Sequence, residues 1–349
     1  MLTRTFWWAK WQKFVAIHGV EVQALTMNSF SSNGLFRCRK RSNYDALSYN
    51  ELDMVNDLGD DSAMSNINGM YRATYRVQPH DTSRAVVVKK LQNESGTVDA
   101  SLDDRCQKEV NLLGSICHGN IISLADCIRR DDSILLVYAH GENGSLHQWL
   151  HPVAEGGRQR PPLDWPTRRA IAVGIARAVC YLHHGRNNTV VHHNINSTNI
   201  LLDSDRNPKL AGFDLARISL AGPDQPVPVS ELTAGNIFGY TAPEYATVVT
   251  AKVDVYSIGV LLLELVTGRV ANEAGVDGHL ATWAWRHCNR LMENAGYFSD
   301  VVDMGIPNRV RYHKEMAAMF RLGVDCTAKD PRERPAMPKV LCRLRNRGR

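Results

Sequence analysis

The hydrophobic and polar positions change their period along the chain. Between about residues 64 and 91 the pattern is strand-like and ends in a β-branched run, and a second apolar run at 134–138 also predicts a strand. Apolar residues at helical spacing predict helices over 101–116 and 168–184. Helical patterns dominate from there to the end. A β-rich part followed by a longer helical part predicts an α+β fold with two lobes.

The most apolar stretch of the chain is 258–263, and Glu264 interrupts it. It is too short to span a bilayer and predicts a buried helix. Residues 1–22 are cationic but lack a clean apolar core and a small-residue cleavage site, so we expect no signal peptide. We therefore predict a cytoplasmic protein without a transmembrane segment.

The cysteines and histidines show no spacing typical of a metal or disulfide framework. The eight cysteines include no C-x-x-C pair, and we expect no histidine cluster at metal-ligand spacing. This composition favours a reducing compartment.

The net charge of +5 conceals a segregation of charge. Residues 1–44 hold seven Lys and Arg against one acid, and residues 301–349 hold twelve against five, whereas the segment between them carries a net −8. A basic-ended chain with an acidic middle differs from the basic stripe of a nucleic-acid binder, so no nucleic acid is expected as a partner.

Residues 1–60 differ in composition from the rest and predict a flexible N-terminal extension. Trp7, Trp8 and Trp11 lie among basic side chains there, so peripheral contact with a membrane surface through residues 1–45 is one interpretation. A disordered basic tail and a misassigned gene start are the alternatives.

Several phrases then follow one another in an order typical of one family. They read VVVKKL (86–91), LLVYAHGENGSLHQWLH (135–151), LDWPTRRAIAVGIARAVCYLHHG (163–185), VHHN (191–194), GFD (212–214), FGYTAPEYA (238–246) and DVYSIGVLLLELVTGR (254–269). With this motif set the sequence resembles a eukaryotic protein kinase. In detail it is similar to plant receptor-like kinases of the leucine-rich-repeat receptor type. The resemblance implies a bilobal domain over 61–349, with a small β-rich N-lobe at about 61–138 and a larger α-helical C-lobe at about 142–349.

The resemblance also implies a set of nucleotide-binding positions. Gly69 is the one glycine that survives in the frame of the phosphate-covering loop. Lys89 matches the lysine that contacts the α and β phosphates, and Glu109 the helix glutamate that pairs with it. Tyr138 stands at the gatekeeper position and Ala139 at the hinge. The Lys89–Glu109 pair either orients the lysine toward nucleotide or only ties the helix to the sheet.

The catalytic positions depart from the family pattern H-R-D-x-K-x-x-N. Asn194 replaces the general-base aspartate, and an amide oxygen is not a usable base near neutral pH. Asn196 replaces the lysine that would neutralise the transferring phosphate, whereas Asn199, a metal-binding position, is retained. At the D-F-G motif, Gly212 replaces the metal-binding aspartate, and Asp214 lies two residues late.

Positions that hold the family's large lobe together are intact. His192 and Phe213 are expected to pack, and Asp254 to support the catalytic-loop backbone. Glu244 and Arg334 stand where the family forms a buried ion pair.

Because the structural positions of the family are retained and several catalytic positions are replaced, we predict a pseudokinase that acts as a signalling scaffold or regulator. Other protein kinases or receptor complexes are the expected partners, at the cytoplasmic face of the plasma membrane. ATP is expected to bind weakly or without metal, and retained Mg²⁺ binding is not supported. A weakly active Ser/Thr kinase and an inert truncated receptor-kinase product are the alternatives.

Overall fold

The computed structural model describes most of the chain after residue 64. The described residues are 65–67, 70–77, 86–93, 95–139, 143–152, 161–219, 222–226, 239–247, 249–273, 278–293 and 295–346. The predicted extension at 1–60 lies outside these ranges, as does Gly69. The chain divides into two compact units, Met1–Cys117 with Ser123–His140, and His118–Ile122 with Gly141–Arg349.

The first unit contains a five-stranded antiparallel sheet. Its strands are β1 (Ser65–Ile67), β2 (Met70–Val77), β3 (Val86–Asn93), β4 (Leu124–Arg129) and β5 (Ile134–Ala139). Their order in the sheet is β1-β2-β3-β5-β4. The side chains at the start of β3 alternate between buried and partly exposed. Val86 and Val88 are buried, whereas Val87 and Lys89 are partly exposed, as expected for a strand with one face packed on a core.

One long helix, α1 (Ala100–Gly114), belongs to the same unit. Asp99 caps its N-terminus by accepting a hydrogen bond from the backbone N–H of Leu102 at 2.7 Å. The face built from Leu102, Cys106 and Val110 is buried, which matches the helical spacing of apolar residues in the sequence. Glu109 is buried among these residues.

The second unit is mainly helical. Its helices are α2 (Leu146–Leu150), α3 (Trp165–His184), α4 (Lys252–Thr267), α5 (Leu280–Glu293), α6 (Ala295–Val301), α7 (His313–Cys326) and α8 (Met337–Arg345). Two short antiparallel pairs complete it, β6 (Thr189–Val191) with β9 (Arg217–Ser219) and β7 (Ile200–Leu202) with β8 (Pro208–Leu210). The prediction of an α+β fold with a small β-rich part and a larger helical part is confirmed.

Helix α4 forms the core of the second unit. Residues 253–267 are all buried, which confirms the buried helix expected from the apolar run. The helix ends at Gly268, whose φ of +64° is left-handed and favours glycine. Across the described ranges, no helix combines the length and the apolar character needed to cross a membrane.

Helix α3 begins three residues before the predicted start at 168. Asp164 caps it by accepting from the backbone N–H of Thr167 at 2.9 Å, and a proline stands in its first turn. Its Arg168 is buried and donates to the carbonyls of Leu163 and Leu265 at 3.0 and 3.1 Å and to Asp303 at 2.6 Å. This arginine therefore ties α3 to the end of α4, a role that the sequence did not suggest.

One cysteine forms a disulfide, although the cysteine spacing indicated no disulfide framework. Cys117 is disulfide-bonded, whereas six other described cysteines are free. A disulfide depends on two sulfur atoms meeting in space rather than on a spacing along the chain, so the sequence pattern did not reveal it.

Candidate functional site

In the first unit, Glu109 is shared by two partners. Its Oε2 lies 3.5 Å from the Lys89 ammonium, and its Oε1 accepts a hydrogen bond from the Tyr138 hydroxyl at 2.7 Å. All three side chains are largely buried, where charge-assisted contacts are stronger than in water. The structure thus brings together three of the predicted nucleotide-site residues, and the Tyr138 contact is an addition to the predicted pair.

The neighbouring lysine takes a different partner. Lys90 lies 3.7 Å from Asp132, on a more exposed part of the sheet. Adjacent residues of a strand point to opposite faces, which explains why only Lys89 reaches α1. Ala139, the predicted hinge residue, ends β5 opposite Val86.

A buried thiol accompanies the Lys89–Glu109 pair. Burial, reinforced by the charge of Glu109, raises the pKa of Cys106 to about 12. The thiol is therefore protonated at physiological pH and unreactive. It fills the core beneath α1.

In the second unit, three asparagine side chains form what we call the amide cluster, Asn194, Asn196 and Asn199. The Asn196 Nδ2 donates to the Oδ1 of Asn194 at 2.9 Å. The Asn199 Nδ2 donates to the backbone carbonyl of Asn194 at 2.9 Å. The three predicted catalytic positions therefore lie together, and their hydrogen bonds join them to one another.

Asn196 also caps the 3-10 turn at Ser197–Asn199. Its Oδ1 accepts from the backbone N–H groups of Thr198 at 3.0 Å and of Asn199 at 3.1 Å. Because both partners are N–H donors, the amide oxygen must face them, and the Nδ2 group must face Asn194. A side chain at the position of the family's lysine thus serves local structure. The order Asn-Ser-Thr-Asn at 196–199 is a capping signal that was present in the sequence.

Gly212 has a left-handed backbone with φ +81°. A Cβ atom built there would lie only 2.6–2.8 Å from the side-chain atoms of Asn199. Any side chain at 212 would therefore meet both backbone strain and the Asn199 amide. Asp214 lies beyond it, within the 3-10 turn Phe213–Leu215, and is partly buried.

Two of the predicted structural residues pack on each other. The ring of Phe213 meets the ring of His192 edge to face with centroids 4.5 Å apart. Burial lowers the pKa of His192, so its imidazole is neutral at physiological pH. His192 is thus placed for packing, as expected.

Asp254 supports the backbone before Asn194. Its two carboxylate oxygens accept from the backbone N–H groups of His192 at 2.8 Å and of His193 at 2.9 Å. The ring of His183 lies 2.8 Å from the same carboxylate. Burial opposes ionisation of Asp254, but the neighbouring histidines, His183 foremost, together outweigh it, and the pKa of Asp254 is lowered.

His193 stands at the position of the family's arginine, with a left-handed φ of +65°. Burial, with a smaller contribution from Arg217 and opposed by Asp254, lowers its pKa to about 4. Its Nδ1 lies 3.2 Å from the hydroxyl of Tyr245. His193 is therefore neutral near pH 7 and offers no positive charge to a phosphate.

Glu244 and Arg334 form the expected ion pair. The guanidinium donates to both carboxylate oxygens at 2.6 and 2.7 Å, and its side chain has no exposed surface. It also donates to the carbonyls of Ala328 and Lys252 at 2.8 and 3.0 Å. This bidentate geometry is the strongest form of such a pair.

One expectation about histidines is wrong. His147 and His151 are four residues apart and converge on Glu264, although no histidine cluster at metal-ligand spacing was expected. The H-x-x-x-H spacing separates the two residues by about one helical turn, and this signal was present in the sequence.

Comparison with known proteins matches these motifs to one family. The protein kinase domain family matches residues 68–343. Receptor-like protein kinase 7 of Arabidopsis thaliana is 39% identical over 243 residues, which cover 67% of this chain and 23% of that protein. MDIS1-interacting receptor like kinase 1 of the same plant is 34% identical over 274 residues, covering 77% of this chain and 26% of that protein.

A third relative has a name that bears on activity. Probable inactive receptor kinase RLK902 of Arabidopsis thaliana is 36% identical over 272 residues, covering 76% of this chain and 39% of that protein. The chain thus matches between 23% and 39% of the length of these three relatives. With its motifs in order and most of its length matched, the chain belongs to the protein kinase domain family and has plant receptor-like kinases as homologues.

Proposed function

We propose that this chain is a pseudokinase that acts by protein contacts in receptor-kinase signalling. The observation that carries the proposal is the amide cluster. Asn194 stands where the family has its proton acceptor, and its side-chain oxygen is already engaged by the Asn196 amide at 2.9 Å. An amide neither accepts a proton near neutral pH nor holds a negative charge.

The metal-binding requirement supports the same proposal. Mg²⁺ in phosphoryl transfer needs a carboxylate at the first D-F-G position, and Gly212 offers none. Asn199 alone among the family's metal positions keeps an oxygen donor, and a single amide oxygen is a weak ligand set for a divalent ion. Its Nδ2 donates to the Asn194 carbonyl at 2.9 Å, which fixes the orientation of the side chain. The donor set fits Mg²⁺ poorly because that ion requires near-ideal octahedral oxygen geometry.

The magnitudes favour an inactive enzyme over an impaired one. Loss of a general base costs roughly 10²–10⁴ in rate. Loss of the electrostatic stabilisation from metal and lysine costs about another 10²–10³. Against a typical kinase turnover of roughly 1–100 s⁻¹, even partly overlapping losses leave too little phosphate transfer for signalling.

A weakly active Ser/Thr kinase is the second candidate. The intact Lys89–Glu109 pair favours it, since this pair is required in active kinases. The same pair is equally useful for joining α1 to the sheet. Because the lysine is retained, the proposal includes nucleotide binding that is weak or independent of metal.

Phosphate transfer and nucleotide binding test the two candidates together. The full chain is incubated with labelled ATP, Mg²⁺ and a general protein substrate, beside Lys89→Ala and the matched control Lys90→Ala. The wild-type chain is expected to transfer no more phosphate than the Lys89→Ala variant. Transfer that Lys89→Ala abolishes and Lys90→Ala retains would overturn the pseudokinase proposal.

Thermal unfolding with ATP, with and without Mg²⁺, separates binding from catalysis. We expect a small stabilisation that Mg²⁺ does not increase, because no carboxylate stands at position 212. A large Mg²⁺-dependent stabilisation would contradict the proposed loss of metal binding.

The proposed partners are other protein kinases or receptor complexes at the cytoplasmic face of the plasma membrane. Three similar plant proteins carry receptor or receptor-like kinase names, which supports this class of partner. Binding of the full chain to the kinase domain of an active receptor-like kinase tests it, and the binding is expected to survive Lys89→Ala.

A further inference from the structure

Two histidines and a glutamate of the second unit lie close together, and none of them belongs to the amide cluster. His147 lies in α2 and His151 directly follows that helix, while Glu264 belongs to α4. One ligand atom from each of the three lies within 4.8 Å of the others. Among the described residues, this is the group of His, Cys, Asp and Glu side chains close enough to share a metal ion.

The buried carboxylate is the centre of the group. Glu264 is 1% exposed, and its Oε1 lies 2.8 Å from the Nε2 of His151. The Ser197 hydroxyl donates to the same oxygen at 2.8 Å. The Tyr240 hydroxyl donates to Oε2. The second oxygen is thus fixed by a hydrogen bond, which orients the carboxylate as outer partners orient metal ligands.

The two imidazoles are arranged as a pair. Their ring centroids are 4.8 Å apart, and the Nδ1 of His147 lies 3.3 Å from the Ser197 hydroxyl. The backbone N–H of His151, which caps the end of α2, donates to the carbonyl of His147 at 2.8 Å, so one helical turn separates the two residues. Two histidines at this spacing also occur in a known type of zinc site. Both rings are partly exposed, so an ion from solvent can reach them.

The donor set selects the metal. Two imidazole nitrogens and one carboxylate oxygen suit Zn²⁺, which is held at about 2.0–2.1 Å in tetrahedral sites. Ligand atoms in such a site are about 3.3 Å apart, so the observed group needs an adjustment of about 1–1.5 Å. Mg²⁺ prefers oxygen ligands and would not select this site.

We propose that His147, His151 and Glu264 form a zinc-binding site that joins α2 to α4. The zinc ion takes the place of the proton shared between the His151 Nε2 and the Glu264 Oε1, that proton is released to solvent, and the Ser197 hydroxyl or a water molecule completes the tetrahedron. Because Ser197 directly follows Asn196, an occupied site also restrains the segment that carries the amide cluster. The proposed site is independent of nucleotide and of the proposed loss of catalysis.

Zinc binding by the full-length chain tests the site directly. Tag-free protein is freed of metal with a chelator and titrated with Zn²⁺ alone by calorimetry, without ATP. One equivalent with a Kd below about 1 μM is expected, and Co²⁺ at the same site is expected to give the strong visible absorption of tetrahedral coordination.

Variants assign the ligands. His147→Gln and His151→Gln are each expected to weaken zinc binding by about 100-fold. The exposed His279→Gln in the same unit serves as the matched control and retains wild-type affinity. Circular dichroism shows whether each variant is folded, and His147→Gln, which removes the ring farther from Glu264, remains informative if His151→Gln does not fold. A folded wild type that binds no zinc, or equal binding by wild type and the folded His147→Gln variant, would overturn the proposal.

Discussion

The side-chain atoms of Asn199 lie 2.6–2.8 Å from the point where a Cβ atom of residue 212 would stand. Gly212 also has a φ of +81°, a backbone conformation that residues other than glycine rarely adopt. The space near the first D-F-G position is therefore filled by an amide that binds the Asn194 carbonyl. Replacing the missing aspartate alone would disturb this arrangement before any metal could bind.

Gly212→Asp is expected to destabilise the protein by about 2–3 kcal/mol, because it adds strain at a left-handed φ and displaces the Asn199 amide. The change is measured by urea unfolding. In an Asn199→Ala background the cost of Gly212→Asp should fall by about 1 kcal/mol. Strictly additive costs would show that the two residues do not compete for space.

Asn196→Ala is expected to cost about 1–2 kcal/mol, because the 3-10 turn loses its cap and two backbone N–H groups lose their acceptor. Asn196→Asp keeps the accepting oxygen and should cost less, since the Asn194 amide can turn its NH₂ group toward the new carboxylate. Thermal unfolding of the two variants measures the difference. Equal losses would argue against the capping role.

Arg334→Ala is expected to destabilise the protein by about 3–5 kcal/mol, because it leaves the Glu244 carboxylate without its buried partner. Arg332 pairs with Asp330 two residues away and is 90% exposed. Arg332→Ala, the matched control, should change the free energy of unfolding by less than about 0.5 kcal/mol. Similar losses in both variants, measured by chemical denaturation, would contradict the assigned role of the buried pair.

Stability is expected to fall as pH drops from about 7 to 5. The pKa of His193 is about 4 in the folded chain against an ordinary value of 6.5, so the unfolded state binds more protons in this window and is favoured at lower pH. At pH 5 this group alone accounts for a loss on the order of 2 kcal/mol. The buried, neutral His192 acts in the same direction.

His193→Asn provides the control for this pH dependence. Asparagine tolerates a left-handed φ and does not titrate. The variant should lose less stability than the wild type between pH 7 and 5, as measured by urea midpoints at several pH values. An unchanged slope would assign the effect to other groups.

Much of the fold could be predicted from the sequence, because amphipathic periods depend only on local residue order. The helix predicted at 101–116 is observed at Ala100–Gly114, and the one predicted at 168–184 is observed at Trp165–His184. The later predicted start reflects a cap and a proline that an apolar period does not reveal.

The candidate site was predicted only in part. Motif order identified Lys89 and Glu109 as partners, and they are paired. It did not reveal that Tyr138 shares the same carboxylate. The two residues are distant along the chain, and their contact depends on how β5 and α1 pack.

The sequence by itself determined which residue types stand at 194, 196 and 212, and therefore where the chain departs from the family's pattern of proton acceptor, positive charge and metal ligand. Only the tertiary structure decided what these positions do instead. The Asn196 cap, the contact of Asn199 with Gly212 and the convergence on Glu264 arise where separate segments meet. Such contacts depend on distances of a few ångströms between groups that have no fixed spacing in sequence, and folding alone sets those distances.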